Sequence, residues 1–272
     1  MLDILHYDLL DFVTSYGVRI PSLRVTYQLF GKPLGTAPVV VVNHAFTGNS
    51  QVIGENGWWA EAIGTAKVIN TDIYTVVAFN IPGNGFHARE EDMITNYQHW
   101  AAVDVARLFN IALKEHLELN SIFALVGCSL GGGIAWEMAA LAPDYFQQLV
   151  IVAADWKATD WIIGNCLLQE QILKNSTHPL HDARLHAMLC YRTPQSLKMK
   201  FERTTHLPTQ LYNVESWLLH HGEKLNKRFS LSAYKLMNQL VKTIDISKDR
   251  GSFAEAVAPI TAHITIVSTD SD

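Results

Sequence analysis

A chain of 272 residues, 49% hydrophobic and only 17% charged, carries enough apolar mass for one large domain, or for a domain with an insertion. Its net charge of -5 and the lack of Lys/Arg clusters leave no electrostatic footprint for nucleic acid or an anionic membrane surface, so small-molecule chemistry is expected. Three widely spaced cysteines, Cys128, Cys166 and Cys190, contain no C-x-x-C pair; they suggest neither a disulfide framework nor a zinc site, and a reduced, cytoplasmic setting.

The N-terminal MLDILHYDLLDFVTSYGVRI lacks a basic stretch followed by an apolar core, and no later segment approaches the ~18 uninterrupted apolar residues of a membrane span. The first strand-like run is PVVVVNH (38–44), followed by YTVVAFN (74–80), SIFALVG (121–127), QLVIVAA (148–154) and HITIVS (263–268). Residues 97–117 place Val105, Leu108, Phe109, Ala112 and Leu113 on one helical face. Strands alternating with helices predict an α/β fold with a mainly parallel sheet and helices on both faces. After residue 154 the alternation stops. The interval is mostly helical and too long for a loop, so the expected organisation is a core over 1–154, a helical lid insertion over 155–258 above the strand C-termini, and a core that resumes at 259–272.

The chemistry centres on ALVGCSLGGGIAWEMAALAP (124–143), where a buried-looking strand breaks at Gly127-Cys128-Ser129-Leu130-Gly131 into a helix. G-x-S-x-G alone is weak. Placed between strand and helix it describes a nucleophile elbow, whose glycines let the backbone turn tightly and lift the serine hydroxyl above the sheet. A plain turn with a capping serine is the bland alternative. An oxyanion formed at Ser129 needs two donors: the N–H of Leu130 at the helix start, and the N–H of Phe46 in the loop NHAFTGNS (43–50). His44 precedes the nucleophile, whereas a chain of this kind orders serine, acid, histidine, so His44 is expected to brace the loop. Cys128 and the pair Trp58-Trp59 are expected to pack rather than react or bind ligand.

The acid belongs after the last strand, where HITIVSTDSD offers Asp272, with Asp270 as its rival. All twelve histidines precede both. A final strand and helix with the triad histidine are therefore expected beyond residue 272, and residues 1–272 are expected to be inactive or nearly so without it. Substitution by His220 or His221 is the lesser alternative.

Together, NHAFTGNS (43–50), GWW (57–59), IGTAKVINTDIYTVVAFNIPGNG (63–85), GCSLGG (127–132), DARLHAMLCYR (182–192) and VSTDSD (267–272) resemble the homoserine O-acetyltransferase family of α/β-hydrolase-fold acyltransferases over most of the chain. The resemblance implies a ping-pong reaction for methionine biosynthesis: acetyl-CoA, a co-substrate and not a bound cofactor, acylates Ser129, and the hydroxyl of L-homoserine takes the acetyl group. It implies Asp272 as triad acid, Phe46 and Leu130 as oxyanion donors, Arg184 and Tyr191 as acceptor-binding residues, no metal, and a possible homodimer through the lid helices. Seven residues are almost two helical turns, so Arg184 and Tyr191 share a face; the competing role for Arg184 is an ion pair with a neighbour such as Asp182. Phe46 stands where the family usually has leucine, Leu130 where it has methionine and Cys128 where it has glycine, which leaves acetyl and succinyl donors both open. A small-ester hydrolase and a non-catalytic binding protein of the same fold are the remaining alternatives.

Overall fold

Val39–Asn43 (VVVVN) and Thr75–Phe79 (TVVAF) are buried at every position. Strands without polar alternation need cover on both faces, and their β-branched side chains suit the extended backbone. In the computed structural model, which describes residues 3–208 and 210–269, these runs are β3 and β4 of a seven-stranded sheet. The others are β1 (Leu5–Val13), β2 (Arg19–Gly31), β5 (Ile122–Cys128), β6 (Phe146–Val152) and β7 (His263–Val267), in the spatial order β1-β2-β4-β3-β5-β6-β7. From β4 to β7 the strands run parallel; β1 and β2 add an antiparallel edge. The chain steps from β3 to β4 on one side and returns to β5 on the other, which opens a crevice above the C-terminal ends of β3 and β5.

The five expected strands are all present in this sheet. The pair β1–β2 has no counterpart in the sequence reading, which took continuous apolar runs as strands, whereas polar residues interleave with apolar ones from Leu23 to Leu29 of β2 and His6, Asp8 and Asp11 interrupt β1. Leu5 pairs with Tyr27 and Val13 with Arg19, and Asp8–Arg24 (3.1 Å) and Asp11–Arg19 (2.8 Å) decorate the pair. Along β2, Leu23, Val25 and Tyr27 are buried on one face, and the stretch Tyr27–Gly31 lies beside β4.

The helical pattern over 97–117 is realised as α1 (Ala102–Ile111) with a π-helical turn over Ala112–His116 that keeps Leu113 buried. It packs on α2 (Leu130–Leu141), and with Phe79, Trp100, Phe109 and Phe146 builds the main core. Between β6 and β7 come α3 (Asp160–Asn175), α4 (Pro179–Cys190), α5 (Pro194–Phe201), α6 (Asn213–Asn226), α7 (Leu231–Lys242) and the short α8 (Phe253–Val257). The segments leading into and out of α3–α7 meet at a neck: Ala158 N–H donates to Ile244 O (2.8 Å), Ile246 N–H to Trp156 O (3.2 Å), and Lys157 pairs with Asp245 (3.0 Å). Leu236, Met237 and Leu240 of α7 belong to the main core. No helix among the described residues is long and apolar enough to cross a membrane.

Candidate active site

Ser129 stands between β5 and α2 with φ 52° and ψ -122°, a conformation that costs a non-glycine residue of order 1–3 kcal/mol. Its N–H donates to Val152 O (2.9 Å), and its carbonyl accepts from Gly132 (2.8 Å) and Gly133 (3.1 Å), so the turn is held from β6 and from the helix. A Cβ at Gly127 would lie 2.2 Å from the Gly131 carbonyl oxygen, and one at Gly131 would lie 2.4 Å from Asn43 O. Strand, elbow and the end of β3 thus touch backbone to backbone, at a distance only glycine permits. The Ser129 side chain is exposed and has no hydrogen-bond partner among the described residues. It lines a cavity of about 460 Å³ with Leu130, Trp156, Lys157, Trp161 and Ser268.

The loop after β3 turns tightly. Gly48 N–H donates to Ala45 O (2.9 Å), which places Phe46 and Thr47 at the corner, and neither the Phe46 nor the Leu130 N–H finds an acceptor among the described residues. Two backbone donors are therefore available on the β3 and β5 loops that flank the crevice. His44 sits beneath the turn, 1% exposed. Its Nδ1–H donates to Ala45 O (2.7 Å), while Nε2 accepts from Ile81 N–H (3.0 Å) and the Asn84 amide (3.2 Å). Burial pulls its pKa down to about 4, with the Ala45 carbonyl opposing. A neutral imidazole with both nitrogens engaged is a brace. Trp58 closes the far end of the loop, its Nε1–H on Asn49 O (2.7 Å) and its ring stacked on Trp59 (4.7 Å), a packing use of the pair.

Arg184 and Tyr191 come together on α4 and its C-cap, the guanidinium 5.6 Å from the ring centroid. Asp182 is not its partner: that carboxylate accepts from His181 (2.8 Å) and from Ser176 Oγ. Among the described residues Arg184 forms no ion pair. His221 packs its ring on Trp217 (4.7 Å) and feels the Arg184 charge, and neither it nor His220 bonds to Ser129. Cys128 is half-buried at the end of β5, and no disulfide joins the three cysteines. Asp270 and Asp272 lie outside the described residues. The chain that leads to them leaves β7 where Val267 O accepts the Ala153 N–H (2.8 Å), with Ser268 on the wall of the Ser129 cavity.

Two residues that the sequence reading passed over reach the Phe46 turn from the helical segment. Arg228 donates from Nη1 to Thr47 O (3.1 Å) and from Nη2 to Thr47 Oγ1 (3.3 Å). The Tyr234 ring packs on Phe46 at 4.8 Å. Their segment, RFSLSAY, reads as an ordinary approach to a helix, and nothing local in it signals a partner 181 residues away.

Residues 38–206 match the alpha/beta hydrolase fold family. The homoserine O-acetyltransferase of Chlorobium chlorochromatii is 27% identical over 96% of this chain and 79% of its own, and that of Clavibacter michiganensis 30% identical over 94% and 76%. The crystal structure of homoserine O-acetyltransferase from Staphylococcus aureus superposes with a TM-score of 0.81 at 25% identity, over 98% of this chain and 79% of that one. A serine held at positive φ on such an elbow, under a sheet of this strand order, agrees with those likenesses: the chain belongs to the homoserine O-acetyltransferase family of alpha/beta-hydrolase-fold acyltransferase enzymes.

Proposed function

We propose that the protein moves an acetyl group from acetyl-CoA to the hydroxyl of L-homoserine through an acyl-enzyme on Ser129, a step of methionine biosynthesis in the cytoplasm. In the first half-reaction Ser129 Oγ bonds to the thioester carbonyl carbon, the C–S bond breaks, and the serine proton passes through a general base to the departing CoA thiolate. In the second, the homoserine hydroxyl oxygen bonds to the acyl carbon of the Ser129 ester and gives its proton to the same base; the bond from that carbon to Ser129 Oγ breaks, the base returns the proton to Ser129 Oγ, and O-acetylhomoserine leaves. The N–H groups of Phe46 and Leu130 stabilise the oxyanion in both steps; the latter stands at the positive end of α2. A base imidazole oriented by Asp272, or by Asp270, completes the machinery. Arg184 clamps the acceptor carboxylate and Tyr191 lines its place. The reading invokes no resident cofactor or metal. The apolar side chains that α3 exposes, Trp161 at 73% and Leu167 at 57%, support a homodimer through the insertion helices.

The observation that carries the reading is the Arg184 guanidinium, without a carboxylate among the described residues and set against Tyr191, in a family whose nucleophile turn this chain reproduces. A simple esterase has no need of such a charge. The test is intact-mass measurement on the full-length protein, incubated with acetyl-CoA and separately with succinyl-CoA in the absence of acceptor. One acetyl adduct on Ser129 that L-homoserine discharges is expected. An adduct from succinyl-CoA alone identifies a succinyltransferase, and an adduct that water discharges as fast as homoserine does identifies an esterase.

A further inference from the structure

The oxyanion donors of an acyl-transfer enzyme act only if they stay within hydrogen-bond reach of the developing charge, and a 1 Å displacement can cost about a hundredfold in rate. The two donors proposed above differ in how they are held. Leu130 N–H belongs to the first turn of a 12-residue helix and is fixed by it. Phe46 N–H sits at the corner of a loop, an element that is ordinarily mobile. Four contacts close on that corner. From the core side, Ala45 O accepts from both Gly48 N–H (2.9 Å) and His44 Nδ1–H (2.7 Å). From the insertion side, Tyr234 lies against the Phe46 ring, and the Arg228 fork takes both oxygens of Thr47.

The insertion-side contacts are themselves fixed. Tyr234 is 3% exposed; its hydroxyl donates to Gln169 Oε1 (3.0 Å), and the Gln169 amide donates in turn to Ala183 O (3.2 Å) and His186 Nδ1 (2.7 Å). Arg228 follows the end of α6 by two residues and forms no ion pair among the described residues. Arg228 is exposed at the end of the insertion, and its guanidinium reaches back to the core loop through the carbonyl and the hydroxyl of Thr47. One bond holds the Thr47 carbonyl and the other its side chain, so the fork fixes the residue that follows Phe46 at two points.

We infer that Arg228 is a positioning residue of the acyl-transfer reaction: together with Tyr234 it fastens the Phe46–Thr47 turn to the helical insertion, and so holds the Phe46 N–H on the oxyanion. The inference rests on the acyl-enzyme reading of Ser129. The competing role for Arg228 is direct contact with a phosphate of the acyl-CoA donor, since the polar cleft it lines with Asn49, Asn84 and His87 is about 220 Å³.

The two roles separate in the half-reaction. Acylation of Ser129 is followed in the full-length protein with acetyl-CoA and with p-nitrophenyl acetate, which has no phosphate, in the wild type, Arg228→Met and Arg228→Lys; thermal melts establish that each variant is folded. For Arg228→Met the maximal acylation rate falls about tenfold to a hundredfold with both donors. The half-saturating donor concentration stays within about twofold, because the loss is confined to the transition state. Arg228→Lys, able to keep one of the two bonds, recovers part of the rate. A loss seen only with acetyl-CoA and only at low donor concentration overturns the positioning role in favour of phosphate contact. Acylation by Arg228→Met at the wild-type rate with both donors overturns it outright. A wild-type protein that takes no acyl group from either donor overturns the acyl-enzyme reading, and the positioning role with it.

Discussion

At Ser129 the backbone, more than the side chain, carries the information. Cysteine at 128 and leucine at 130 are ordinary residues on either side of a strained one, and the glycines at 127 and 131 are required because carbonyl oxygens stand 2.2 and 2.4 Å from where a Cβ would be. The pattern was legible because such crowding leaves a local signature in the sequence. Arg184 and Tyr191 were marked by the family resemblance, and their seven-residue separation agrees with the face on which they meet, whereas an Asp182 ion pair to Arg184 does not form. Arg184→Ala is expected to raise the KM for L-homoserine by tenfold or more, the loss of a charged hydrogen-bonded contact of about 1.5–3 kcal/mol, and to leave acylation by acetyl-CoA within about twofold of wild type. Steady-state titration of the acceptor beside a burst measurement checks both; an unchanged KM removes Arg184 from the acceptor site.

Among the elements, the return from the helical insertion is tied to α2, the helix that follows Ser129, by packing and by a buried ion pair. Gly133 of α2 lies under Ile244, and Glu137, one turn further along the same helix, is 2% exposed against the segment after α7. Arg250 Nη1 donates to Glu137 Oε2 (3.1 Å) and to Ile246 O (2.9 Å). Burial pushes the Glu137 carboxyl up, and Arg250 acts against that. Removing one partner of a buried pair strands the other, at a cost of about 3–5 kcal/mol. Arg250→Ala is therefore expected to destabilise the protein by about that amount, and Glu137→Gln in the same background to recover part of it, both read from urea midpoints. A loss under about 1 kcal/mol would mean that the pair behaves as an exposed one. The insertion was legible as a helical interval, but not as one whose last helix helps to build the main core, since a hydrophobic stripe does not say which neighbour it faces.

For the whole molecule, the neutral His44 beneath the oxyanion turn links stability to pH. Its folded pKa of about 4 lies below the ordinary histidine value of 6.5, so between those values the unfolded chain takes up a proton that the native protein refuses. The sign follows: this contribution is fully present above about pH 6.5 and is lost as pH falls toward 4. His44 accounts for about 2–3 kcal/mol of the stability lost between pH 7 and pH 4.5, so denaturant unfolding of His44→Asn should show a fall smaller by about that amount; His186 and His221, also held down by burial, act in the same direction and remain in the variant. An identical slope in wild type and variant would assign the titration elsewhere. Protonation would also repel the Ile81 N–H and the Asn84 amide that point at Nε2, so the turn carrying Phe46 should loosen first.

By itself the sequence determined the parallel core, the tight strand-to-helix turn at Ser129 and the family, because buried strands and crowded glycines write their requirements into adjacent residues. It also placed His44 as a brace, from its position in the order of the chain. The antiparallel edge was decided only in three dimensions: polar residues interrupt the apolar ones in β1 and β2, and what covers the side on which Phe12, Leu23, Val25 and Tyr27 join the main core is set by how the sheet packs. So was the support of the Phe46–Thr47 turn, where Arg228 and Tyr234 meet Thr47 and Phe46 across more than 180 residues. Contacts at that separation depend on how the insertion folds back over the sheet, and no local periodicity records that.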